Sequence, residues 1–202
     1  MRKSDRTLYL TAILLCFAVL TLLLSAVYLI FRQPTTEPPS KESQPQIVYG
    51  AEVRAASLRY DVSASRIYAV IQTESSFRPT VVSKSGAVGL MQMLPSTYKE
   101  QCAKRGADFD AEDLKDPAVN IDYCTEYLKQ LYDMTGSWDL AHLAYHAGIG
   151  NVRRWLADPA CSSDGKTLDV IPIKASQTYL ERINAAFAAY DRVLAEEEKQ
   201  DI

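Results

Sequence analysis

Residues 67–98 read IYAVIQTESSFRPTVVSKSGAVGLMQMLPSTY. Ile67, Val70, Ile71 and Glu74 stand at i, i+3, i+4 and i+7, the spacing of one helix face, and no sustained two-residue alternation rich in Val, Ile and Thr appears around them. The spacing predicts a helix with a carboxylate on its apolar stripe. Gly86 and Gly89 imply a tight loop whose backbone approaches something closely, and Pro95 suits the first turn of the next helix. Before this stretch a helix is predicted over Val48–Tyr60, and Ser63 or Ser65 caps the one that carries Glu74. After it, Gly106 follows the helix that Pro95 begins, Asp116-Pro117 opens another that Gly136 closes, and Ser137 caps one ending at Gly148. A last helix starts near Ser176 and carries Leu180, Ile183, Phe187, Tyr190 and Leu194 on one stripe. The reading is all-α, without internal repeats.

The chain has 202 residues, 48% hydrophobic and 23% charged, with 22 Lys+Arg against 25 Asp+Glu. That balance belongs to a folded protein, and one compact domain is expected. A net charge of -3 with scattered basic residues offers no field to follow phosphates, so nucleic acid is not expected as a partner. The four cysteines form neither a disulfide scaffold nor the CxxC and Cys/His pairs of metal or redox sites.

Leu8–Phe31, LYLTAILLCFAVLTLLLSAVYLIF, is a run of 24 uncharged residues, longer than the roughly 20 that cross a bilayer core. A transmembrane signal-anchor helix is expected over residues 7–31. A cleaved signal would have a shorter apolar region, and Leu15 before Cys16 argues against lipidation. Arg2, Lys3 and Arg6 precede the run, which keeps residues 1–6 in the cytoplasm and puts everything after Arg32 outside. Residues 32–45, RQPTTEPPSKESQP, carry four prolines and form a spacer that spans up to roughly 40 Å. The working domain is then residues 46–202.

A carboxyl on an apolar face has its pKa raised by desolvation, and a carboxyl protonated near neutral pH is what general acid catalysis requires. The alternative is that Glu74 turns to solvent at the helix end or pairs with Arg78 or Arg66. Beside it, GAVGLMQ lacks the GxxxxGK[ST] pattern of a phosphate loop, and AYHAGIGNV ends a helix in glycines with Tyr145 at its edge.

Taken together, IQTESSFRPTVVSKSGAVGLMQMLPSTY, DPAVNIDYCTEYLKQL, LAYHAGIGNVRRW and SQTYLERI resemble the four signature regions of lytic transglycosylases. The chain is similar over residues 47–190 to the soluble-lytic-transglycosylase-like (SLT) catalytic domain, glycoside hydrolase family 23. That resemblance implies a lysozyme-like helical fold and, as substrate, the peptidoglycan of a bacterial wall. It implies cleavage of the MurNAc-GlcNAc β-1,4 bond to a 1,6-anhydro product, without metal or cofactor. Carried over by position, Glu74 matches the catalytic acid/base, Ser75 its neighbouring hydroxyl, and Met91 and Gln92 the sugar-contacting loop. Tyr145 and His146 match residues lining the cleft, and Tyr179 matches a tyrosine near the glutamate. Two-carboxylate glycosidases need a second acidic group, whereas here only one carboxylate is well placed. The substrate's own C6 hydroxyl supplies the attacking oxygen in the implied mechanism.

His146 departs from the family's usual Asn. His142 and His146 share a helix face, but HLAYH lacks the glutamate of HExxH and a third ligand, so a metal is not expected. Ala175, Ser176 and Gln177 replace the usual Glu-Thr-Arg before Tyr179, which leaves Tyr179 open to being an ordinary core aromatic. A Cys102 to Cys124 bridge is open, with Cys161 as another partner; otherwise Cys124 is a small packing residue. Tyr123, Tyr127, Trp138 and Trp155 read as core or surface aromatics. The implied enzyme is a single-pass protein of the cytoplasmic membrane with its domain in the periplasm or on the wall side. Its role is wall remodelling or local wall opening, with an envelope-machinery partner as one use. A hydrolytic muramidase and a non-catalytic wall-binding scaffold stand as alternatives.

Overall fold

The computed structural model describes residues 45–200; the expected span and the spacer up to residue 44 lie outside them. No described helix is long and apolar enough to cross a membrane. The described residues form α1 (Gly50–Tyr60), α2 (Ala64–Ser75), α3 (Pro95–Arg105), a 3-10 turn (Ala111–Lys115), α4 (Pro117–Thr135), α5 (Trp138–Ala147), α6 (Ile149–Ala157) and α7 (Lys174–Gln200). Among them there is no strand beyond two isolated antiparallel bridges, Val82 to Val88 and Val88 to Met93, which fold the glycine loop into a tongue.

Local chemistry sets most helix ends. Asp116 accepts from the amides of Ala118 and Val119 at 2.8 and 3.1 Å, with Pro117 in the first turn where no amide is needed. Gly106 and Gly136 end α3 and α4 in the left-handed conformation. Ser63 and Ser137 hold the N-cap positions of α2 and α5, but neither hydroxyl makes a capping bond. The sequence pattern does not foresee α6. Gly148, at φ 87° and ψ 139°, ends α5 and starts α6 in a single residue, so the stop signal hides the restart. In α6, Val152 and Trp155 are buried.

α2 is the central element: Ile67, Ala69, Val70 and Ile71 are fully buried. It packs chiefly on α7, while α4 lies between α1 and α5. On α7, Tyr179, Ile183 and Tyr190 are buried, and the Tyr190 ring stacks on Tyr68 of α2 at 5.1 Å. Leu180, Phe187 and Leu194 are only partly covered, so the stripe foreseen from spacing is deepest at Ile183 and Tyr190.

Arg66 of α2 lies between the rings of Trp138, at 4.2 Å, and Phe187, at 4.4 Å, which ties α2, α5 and α7 together. Its Nη1 meets His142 Nε2 at 3.0 Å. Burial and the adjacent guanidinium push the His142 pKa down to about 3, so the ring is neutral and accepts through Nε2. Cys102, Cys124 and Cys161 are buried free thiols, so the bridge between the first two is not made; Cys124 fills a packing position and donates to Asn120 at 3.6 Å.

Candidate active site

The C-terminal turn of α2 brings Glu74 against three other helices. From α7 come Tyr179 and Arg182, from α4 Cys124 and from α5 Tyr145. Burial raises the Glu74 carboxyl from 4.5 to about 7, against the opposing pull of Tyr179 and Arg182. No second carboxylate is among the groups that shift it. The alternative ion pairs do not form among the described residues: Arg66 is engaged with His142, and Arg78 Nε donates to the Ser75 carbonyl at 2.8 Å.

Beyond α2 the chain turns through two consecutive left-handed residues, Ser76 at φ 50° and Phe77 at φ 63°. This abrupt exit lets the Phe77 ring fold back toward Tyr68 and Tyr190. Left-handed non-glycine residues are uncommon and costly, and their concentration beside Glu74 marks a place where geometry outweighs local preference.

The Gly86–Gln92 loop is held in place from α4. Asn120, fully buried, accepts from the Met91 amide at 2.8 Å and donates to the carbonyls of Leu114 and Val88 at 2.9 and 3.1 Å. A Cβ on Gly89 would collide with the Asn120 amide and the Leu114 carbonyl, so glycine is required at this close approach. Sequence reasoning missed Asn120: it lies within the quoted DPAVNIDYC segment, but nothing local distinguishes it from an ordinary polar helix residue.

Five of the expected residues converge here. Tyr145 donates its hydroxyl to the Met91 carbonyl at 2.8 Å, which fixes the loop to α5. The rings of His146 and Tyr179 stack at 4.2 Å with 13° between their planes. His146 is exposed on its outer side, and desolvation lowers its pKa. Gln92, at φ 53°, spends its amide nitrogen on the carbonyls of Gly89 and Val81 at 2.9 and 3.1 Å. Gln92, Tyr145 and His146, with Tyr127 and Thr97, line a hollow of about 240 Å³. The Tyr179 hydroxyl is buried without a hydrogen bond of good geometry, yet it stands close enough to Glu74 for each to shift the other.

Ser75 and Met91 are 1% and 0% exposed, and neither offers a ligand the surface expected of a sugar contact. The Ser75 hydroxyl donates to the Ile71 carbonyl at 3.2 Å, and Met91 supports Tyr145 through its backbone. The two histidines separate: His142 is buried under Arg66 while His146 covers Tyr179. A larger hollow of about 470 Å³ between α1 and α4, lined by Ala51, Ala55, Arg59 and Asp122, is walled by none of the groups around Glu74.

The family described as transglycosylase SLT domain matches residues 52–166. The chain is 32% identical over 146 residues to the soluble lytic murein transglycosylase of Salmonella typhimurium, covering 68% of this chain and 22% of that protein. It is 34% identical over 167 residues to the membrane-bound lytic murein transglycosylase C of Salmonella arizonae, covering 71% and 46%. The chain thus spans less than half the length of either relative. Among solved structures it resembles an inactive glutamate-to-glutamine mutant of the lytic transglycosylase Slt of Pseudomonas aeruginosa, with TM-score 0.67 and 30% identity over 75% of this chain and 25% of that one. It also resembles the 70 kDa soluble lytic transglycosylase of Escherichia coli, with TM-score 0.66 and 26% identity over 74% and 25%.

Proposed function

We propose, because this chain belongs to the transglycosylase SLT domain family, that it is a lytic murein transglycosylase that cleaves the MurNAc-GlcNAc β-1,4 bond of peptidoglycan without water. The observation that carries the reading is a lone carboxyl, Glu74, with a pKa of about 7 and no second carboxylate among the groups acting on it. A hydrolase with two flanking acids would need that second group.

Protonated Glu74 gives its proton to the glycosidic oxygen as the bond to the muramic C1 breaks, and the GlcNAc hydroxyl leaves. The substrate's acetamido group shares the positive charge at C1. Glu74, now a carboxylate, takes the proton of the C6 hydroxyl, and O6 closes on C1 as the 1,6-anhydro ring. The same carboxyl begins and ends protonated, and a pKa near neutrality serves both half-steps. Tyr145, His146 and Gln92 bind sugar along the hollow they line, Gln92 through its carbonyl oxygen. Tyr179 hydrogen-bonds the carboxylate form of Glu74, while Ser75 and Met91 act from beneath the surface.

Residues 7–31 anchor the protein once in the bacterial cytoplasmic membrane with the domain on the wall side. The apolar run itself supports this, together with the membrane-bound relative. Remodelling or local opening of the wall, alone or beside an envelope machine, is the corresponding role. The test is digestion of purified peptidoglycan by the full chain in detergent, beside Glu74→Gln, with the fragments read by mass spectrometry. Anhydro-muropeptides released by the wild type and lost in the variant support the reading. Free reducing ends point instead to a muramidase, and wall binding without release points to a scaffold.

A further inference from the structure

We propose that Arg182 is a positioning residue for the Glu74 carboxyl: from α7 it grips the last turn of α2 at the Thr73 carbonyl and presents the one cation among the described groups that face the carboxyl. The inference deepens the reading above and rests on Glu74 as the acid/base.

The contact spans 109 residues of sequence, with Arg182 Nη2 donating to the Thr73 carbonyl at 3.0 Å. Thr73 directly precedes Glu74, and both sit at the C-terminal end of α2, where unpaired carbonyls concentrate negative charge. A carboxylate half-buried there is opposed twice, by partly lost solvation and by the helix end. The neighbours from the packed elements are Cys124 on α4, Tyr145 on α5, and Tyr179 and Arg182 on α7. His146 stacks behind Tyr179, and Arg78, past the helix end, is taken up by the Ser75 carbonyl. The thiol and hydroxyls are neutral, since burial pushes Cys124 up to about 12 and holds Tyr145 and Tyr179 well above their usual values. Arg182 stands one helical turn after Tyr179 on the same side of α7, so one helix delivers a hydroxyl and a cation to the same carboxyl.

The consequence falls on the second half of the reaction. Glu74 donates its proton at once if burial alone governs it, but it must then persist as a carboxylate long enough to take the C6 proton. Arg182 offsets part of the burial cost of that charged form and fixes the backbone that bears it. Its own head is exposed, so its influence weakens as salt rises.

The experiment follows the Glu74 side-chain carboxyl by carbon-13 NMR titration in the full chain in micelles, with Glu74→Gln to identify the resonance. Arg182→Gln keeps an amide donor for Thr73 and removes the charge; Arg182→Lys keeps the charge. The midpoint should rise by about half a unit or more in Arg182→Gln and stay near the wild type in Arg182→Lys. The alkaline limb of anhydro-muropeptide release should move with it. In the wild type, 1 M salt should raise the midpoint in the same direction, a measurement that needs no variant to fold. An unmoved midpoint in Arg182→Gln, or equal movement in Arg182→Lys, overturns the proposal. Because the titration reads the carboxyl directly, a protein that cleaves no peptidoglycan would defeat the proposed function without deciding this question.

Discussion

On one side of α4, Asp122 and Glu126 each meet Arg105 at 2.6 Å, Asp122 also meets Arg59 at 2.7 Å, and the Arg105 guanidinium covers the Tyr123 ring at 3.7 Å. On the other side Cys124 neighbours Glu74, which feels the Arg182 guanidinium and the Tyr179 hydroxyl but forms no ion pair among the described residues. The paired charges are partly exposed, each between 22% and 26% except Arg59 at 61%, and so retain water as well as partners. Glu74 has neither in full. The contrast separates two settings of charge in one fold: groups that join helices are neutralised and wet, whereas Glu74, the group proposed for proton transfer, has no paired charge and a pKa raised toward neutrality.

Substituting Glu74 by Gln should break the site side alone. Peptidoglycan release should fall by roughly 10²- to 10⁴-fold, the range for loss of a general acid/base. Stability should move the other way. A carboxyl whose pKa is higher folded than unfolded favours the folded state fully at low pH, and that contribution disappears as pH rises through about 4.5 to 7. Denaturant melts should therefore show Glu74→Gln more stable than the wild type above pH 7, by at most about 3 kcal/mol, with the difference vanishing near pH 4.

Asn120→Ala attacks the support of the loop rather than its chemistry. It strands the Met91 amide and the carbonyls of Val88 and Leu114 in a dry interior, at a cost of about 2–4 kcal/mol. A loss no larger than a surface substitution's would mean that the loop holds its shape without α4. Arg105→Ala removes the shared cation of the paired side: chemical melts should show a loss of about 1–2 kcal/mol that shrinks with salt, without change in the pH profile of cleavage. His146→Asn, which brings in the residue usual in the resembling family, should cost about 0.5–1 kcal/mol in denaturant melts, because the ring gives up its stack on Tyr179 while its outer side is already exposed. Any change in its pH profile should lie on the acid limb, where a neutral His146 would begin to charge.

Helix after helix could be read from the sequence because Pro117, Asp116, Gly106 and Gly136 act within a residue or two of themselves. α6 could not, since Gly148 serves two helices and a stop signal carries no notice of a restart. Glu74 was legible as a carboxylate on an apolar stripe, and Tyr145, His146 and Gln92 through their resemblance to known motifs. Ser75 and Met91 carried the right motif letters, yet their surroundings bury them, and a motif does not record which side of a loop faces solvent.

Periodicity and the punctuation of Gly, Pro and Asp thus account for the helical class of the described residues and for the place of Glu74 on an apolar stripe, because both depend on neighbours a few positions apart. Tertiary structure decided what Glu74 meets. Asn120 reaches Met91 across 29 residues and Arg182 reaches Thr73 across 109, and Tyr179 lies beyond the stretch that matches the family. Desolvation, ring stacking and a cation at a helix end are properties of packed neighbours, and only packing brings together groups so far apart along the chain.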